Sequence, residues 1–414
     1  MTHDKTTDLP PPLDLSSWRK APAALMIIGG VLSAAGLIAS HASRVEFAYS
    51  WLLAFMFFLT LSLGALALVF MHHLSDAGWS VATRRVNEHL ASLLFPWLAI
   101  LFLPVGIFGK EIYAWMSLSP HEHFVAVKWP VFTITGFWIT SAIFFGIWWL
   151  MTGRINYWSL RQDVTGDALC SYRMRFHSAW GVIVMALTMV FAPVLWMQAV
   201  QHRWFSAVYG VYYFASCMWL ALATLYILMT LFLRQRVLDR VLRDNQFYFI
   251  GVFFFAFTLF QAYNEFAQYF VVWNANMPEE TFWYLIRENG SWWTASMVLI
   301  FGHFMLPFFI LLPARVKMNF KVMLPVCLWA WLMSFADLSF NILPALHPNG
   351  YPFHWLWLQF GCFLFMAGFL ARAFLKKFLI YPPYPQRDPR LLESMGVALE
   401  PEELPDTLPN GGAP

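Results

Sequence analysis

Charge is scarce in this sequence. Asp, Glu, Lys and Arg make up 12% of its 414 residues, against roughly 25% in an ordinary soluble domain. Hydrophobic residues reach 60%, more than a water-soluble core can enclose, so lipid must solvate part of the surface. Cysteine is also sparse: Cys170, Cys217, Cys327 and Cys362 form no C-x-x-C or C-x-x-C-H pair, which removes the thiolate signatures of Fe–S clusters, zinc sites and c-type haem. The opening twenty residues, MTHDKTTDLPPPLDLSSWRK, lack an apolar core and a small-residue cleavage site. They read as a short cytoplasmic tail, not a cleavable signal peptide. The pairs Gly29-Gly30 and Gly411-Gly412 lack the strand-to-helix setting of a phosphate-binding loop. No Ser/His/Asp or Cys/His nucleophile set is legible, and nothing indicates a nucleic-acid partner.

Long apolar runs are abundant. A hydrocarbon core about 30 Å thick needs roughly 20 residues of helix. Ten stretches meet this: 21–39, 48–72, 88–109, 129–151, 176–200, 204–233, 247–273, 292–312, 320–341 and 353–375. The 22 Trp and 15 Tyr suit interfacial belts. Of the 26 Lys and Arg, 21 fall in the tails and even-numbered connections and 5 in the odd-numbered ones. Positive loops stay cytoplasmic, so the expectation is an all-α, multi-pass protein of a bacterial inner membrane with both termini cytoplasmic. It divides into an N-terminal tail (1–20), a ten-helix membrane domain (21–377) and a Pro- and acid-rich C-terminal tail (378–414), expected to be extended or draped on a partner. Spans two to five and six to nine suggest two four-helix bundles of the same orientation, with spans one and ten flanking them. Each bundle opens on an aromatic start, at Tyr49 and Tyr209, and leads into an arginine-bearing loop.

Ionisable groups inside lipid need a reason. Two carboxylates lie within spans, Glu265 and Asp337. Gln261, Asn264, Glu265 and Gln268 share a face of the seventh helix, and Ser334, Asp337 and Asn341 a face of the ninth. Both faces fall in the periplasmic half, and no Lys or Arg is expected at that depth unless Lys110 reaches in. His303 lies near the middle of the eighth helix. A second group, His72, His73, Asp76, Glu88 and His89, sits where the second helix closes and the third opens. Together these residues suggest two proton half-channels, one opening to each side, with His303 between them. The same groups would equally serve as interhelical hydrogen bonds that hold a bundle together. A b-type haem would need two inward His on facing helices. His72, His89 and His177 share one level, but interfacial His needs no ligand role. The chain is expected to bind no cofactor of its own.

Several runs resemble one family. They are HHLSDAGWSVATRRVNEHL (72–90), SLRQDVTGD (159–167), RWFSAVYGVYYFAS (203–216), FAQYFVVWNANMPEETFWYLIRENGSW (266–292), GHFMLPFFILLPARVKMN (302–319) and ADLSFNILPA (336–345). Taken in order they resemble the ActF subunits of bacterial alternative complex III, within the NrfD-like (polysulfide-reductase membrane subunit) superfamily. The resemblance implies a respiratory quinol:cytochrome c oxidoreductase. Its haems and Fe–S clusters would sit in partners: a sister NrfD-like subunit, an Fe–S protein, c-type cytochromes and, in some assemblies, a terminal oxidase. It implies proton conduction for this chain and leaves quinone binding open. The run VLWMQAVQHRWFS (194–206) departs from the family pattern, since Leu195 and Gln201 stand where Asp is expected. Glu265 adds a carboxylate the pattern lacks. The alternatives are a purely structural anchor and a stand-alone secondary transporter.

Overall fold

The computed structural model describes residues 18, 20–119, 122–239 and 241–396. Most of the expected tail 1–20, and residues 397–414, lie outside them. Among the described residues there is no strand, and ten helices are long and apolar enough to cross a membrane. They are α1 (Lys20–Ala39), α2 (His41–Leu74), α3 (Gly78–Ile107), α4 (Ile134–Thr165), α5 (Ala168–Trp196), α6 (Tyr209–Arg234), α7 (Asp244–Ala275), α8 (Gly290–Leu311), α9 (Phe320–Ala345) and α10 (Phe353–Ile380). The count equals the one read from hydropathy. Three starts come well before the expected ones: α2 by seven residues from 48, α3 by ten from 88 and α5 by eight from 176. These extensions carry polar residues, and a hydropathy window discards polar turns that tertiary contacts keep helical. Ser40 caps α2, accepting a hydrogen bond from the Ser43 amide at 3.1 Å. Gly166, at φ 69°, ends α4 in the left-handed conformation that glycine adopts freely.

The helices form the two expected bundles, α2–α5 and α6–α9, with α1 and α10 paired against each other and laid on α2. The first helix of each bundle occupies the centre. The apolar windows of α2 and α6 are 94% and 78% buried, against 22% for α1 and α8. Gly64 permits that central contact: a Cβ there would stand 2.0 Å from the Cys217 carbonyl of α6. Helices in lipid gain little from apolar burial and associate through such close packing.

The even-numbered connections gather at one end of the molecule, which carries most of the arginines, and the odd-numbered ones at the other. Residues 382–396 do not run free. They fold back over the arginine end, where the Gln386 amide donates to Asp163, Arg387 donates to the Val164 carbonyl, and Gln246 donates to the Ser394 carbonyl. The described part of the tail is thus draped on its own bundle and not extended.

Candidate functional site

The polar faces of α7 and α9 meet in the second bundle, as their spacing requires, and α6 adds two tyrosines one turn apart. Tyr212 donates to Asp337 Oδ1 at 2.5 Å and accepts from Asn341 Nδ2 at 2.8 Å. Tyr209 donates to Asn341 Oδ1 at 3.2 Å. On α7, Gln261 Nε2 bridges Ser216 Oγ at 2.9 Å and Glu265 Oε1 at 3.1 Å. Asp337 and Gln268 are buried, and the Glu265 side chain keeps 30% of its surface. All three line one cavity of about 860 Å³, walled by α6, α7, α8, α9 and the short helix Pro278–Arg287 between α7 and α8.

His303 stands beside this cavity. Its Nδ1 is 3.8 Å from Glu265 Oε1, too far for a hydrogen bond, and its ring lies 4.0 Å from that of Trp219. It sits in a π turn, Leu299–Met305. The Leu306 amide bonds to the Phe301 carbonyl five residues back, and Pro307 has no amide to offer the His303 carbonyl. The Gly302 carbonyl loses its usual donor and takes the Trp329 indole N–H at 2.7 Å instead. Such single π turns inside α-helices often mark functional positions.

A buried cation was not expected at this level, yet Arg287 supplies one. It enters from the short helix, not from a span. Nε donates to the Phe340 carbonyl at 2.9 Å, Nη1 to Trp283 O at 2.9 Å, and Nη2 to Asn341 O at 3.0 Å. Nη1 also reaches Gln201 Oε1 at 3.4 Å, one of the two positions where the family pattern has Asp. The guanidinium lies 3.4 Å from the centre of the Trp283 ring, which stacks in turn on Trp204. Burial pulls its pKa down to about 9, which leaves it charged at neutral pH. It fastens α9 and the connection 197–208 to one point beside Asp337. Lys110, the cation considered from sequence, makes no ion pair among the described residues.

The corresponding region of the first bundle is packed with rings. Trp196 on α5 is enclosed by Phe55, Phe102, Phe144, Phe145 and Trp148. Aromatic rings fill there the kind of space that carboxylates and tyrosines line in the second bundle.

The second predicted group is divided by the structure. Glu88 is fully buried. It pairs with Arg84 at 3.0 Å and Arg85 at 3.3 Å and accepts from Ser159 at 2.8 Å. It lies within the helix Val81–Ala91, not at the opening of α3. Arg85 also pairs with Asp163, and Arg84 with Asp388 of the folded-back tail at 2.6 Å. Arg390 joins Asp388 and Asp76 and approaches His72 Nε2 at 3.4 Å. The other nitrogen of His72 meets Ser80 at 2.7 Å. His73 stacks edge-on against His72. His89 stands apart among Phe374, Phe378 and Tyr381, and neither of its nitrogens has a hydrogen-bond partner among the described residues. A void of about 30 Å³ lies beside His72 and Arg84, far smaller than the cavity in the second bundle.

Among the described residues, no three His, Cys, Asp or Glu side chains converge on a point that could hold a metal ion. The sequence reading missed Arg287, Tyr209, Tyr212 and the tail's Asp388. Arg287 did carry a signal: it is the single basic residue of the connection between α7 and α8. No protein-family model and no curated protein matches the chain.

Proposed function

We propose that the chain is a cofactor-free integral subunit of a respiratory quinol:cytochrome c oxidoreductase of the alternative complex III type, in which Asp337, Glu265 and His303 carry protons. The observation that carries the proton role is the cavity, where two carboxylates from different helices face a common space that water can enter. Carboxylates at that depth are expensive unless protonated, paired or hydrated, and both keep an oxygen without a hydrogen bond from the described residues. The ordered family-like runs from 72 to 345 support the assignment to a complex. They would place the redox centres in partners: an Fe–S protein, c-type cytochromes and a second NrfD-like membrane subunit, in some assemblies beside a terminal oxidase. The test is purification of the chain from native membranes under mild detergent, with mass spectrometry of what stays bound. Haem- and Fe–S-bearing partners in fixed ratio are expected. A monodisperse chain without them would overturn this reading.

The arginine end faces the cytoplasm in this proposal, since 21 of the 26 basic residues lie in the tails and even-numbered connections. The tail then forms a cytoplasmic clamp. Burial pushes the Asp388 carboxyl up, but Arg84 and Arg390 outweigh it and hold it at about 2, below its ordinary 3.8. A carboxyl lowered in this way adds stability above its ordinary pKa and loses it as pH falls toward about 2. Removing one partner of a buried pair costs about 3–5 kcal/mol, so Asp388→Ala is expected to release the tail at neutral pH. Trypsin should then cut at Arg387 and Arg390 in inverted vesicles and leave right-side-out vesicles intact, while the parent resists in both. Cutting from the outer face would refute the orientation, and no cutting from either face would refute the clamp.

A further inference from the structure

We propose that the cavity of the second bundle binds amphipathic organic cations, an ammonium or phosphonium centre on an apolar body, admitted sideways from the bilayer. Its volume of about 860 Å³ falls within the roughly 300–1,000 Å³ of small-molecule sites. Phe266 on α7 and Trp293 on α8 line it and are also 65% and 53% exposed. The cavity therefore opens between those two helices. An apolar body passing there never leaves hydrocarbon.

The polar wall selects the charge. Around Asp337 the donors are already committed to protein acceptors: the Tyr212 and Tyr209 hydroxyls, the Asn341 amide and every nitrogen of Arg287. Asp337 is 4% exposed and uses Oδ1 for its hydrogen bonds, while Oδ2 has none. Glu265 likewise accepts from Gln261 through Oε1 and leaves Oε2 without a hydrogen bond. Beside Asp337, what remains for an occupant is acceptor capacity and negative charge, while Gln268 and Tyr284 add further polar groups elsewhere on the wall. Asp337, Glu265 and Glu288 face the space with Arg287 as the single cation among its lining residues. Tyr269, Trp283, Tyr284 and Phe340 complete the lining with ring faces, which attract cations further.

This binding is independent of proton conduction. A bound cation would compete with protons for the same carboxylates, yet either property can be absent without the other. Tetraphenylphosphonium and tetraphenylborate separate charge from shape, because the two ions share one geometry and differ in sign. Titrated into the full chain in lipid nanodiscs and followed by tryptophan quenching, the phosphonium should bind saturably and at least about tenfold more tightly than the borate. Asp337→Asn and Glu265→Gln should each weaken the phosphonium by about tenfold and leave the borate unchanged. Equal affinity for the two ions in the parent chain would overturn the proposal, with no reliance on how a variant folds. So would phosphonium binding that both variants keep intact.

Discussion

Asp337→Asn in the assembled complex is expected to lower turnover by roughly 100-fold, the low end of what a positioned proton-transfer group contributes. Proton release per electron should fall with it. The substitution is close to isosteric. An Asn oxygen still accepts from the Tyr212 hydroxyl, so the Tyr212–Asn341 contact can persist and the bundle can assemble. What is lost is a group that can hold and surrender a proton. Glu265→Gln should act in the same direction. Its effect is expected to be smaller, because that side chain is partly exposed to the cavity and water can replace part of its role. The measurement is quinol oxidation and proton release in sealed vesicles. Parent values of both in the Asp337 variant would defeat the proton role and leave the structural reading of these residues.

Arg287→Ala is expected to be the most destabilising single change in the second bundle, by about 2–6 kcal/mol for two orphaned carbonyls. It leaves the carbonyls of Phe340 and Asn341 without donors, and an unpaired buried group costs about 1–3 kcal/mol. It also removes the cation from the face of Trp283. Arg287→Lys should recover little, since one ammonium cannot reproduce a planar fork aimed at three backbone carbonyls. Thermal unfolding of the purified chain or complex checks this, with Arg203→Ala, whose side chain is 62% exposed, as the surface control. Equal melting points for the two Ala variants would show that Arg287 holds nothing together. A fall in melting point confined to Arg287, together with loss of turnover, would tie the fastening of α9 to the geometry around Asp337.

The ten spans, the two-bundle arrangement and the gathering of positive connections at one end were legible in the sequence, because each follows from a local property. Apolar length sets a span, and the parity of a connection sets its end. The shared faces of Gln261, Glu265 and Gln268, and of Asp337 and Asn341, follow from the helical period alone. Tertiary structure decided what those faces meet. That Tyr212 reaches Asp337 depends on α6 and α9 packing side by side, the two residues being 125 positions apart in the chain. Arg287 became a buried cation because the short helix after α7 turns inward, which no periodicity announces. Glu88, which hydropathy read as the wet opening of α3, is sealed beside Arg84 by Asp388 from 304 residues beyond that arginine. Hydropathy responds to the residues next to one another in the chain, whereas a charge inside a membrane protein is stabilised by whichever partner the fold brings beside it.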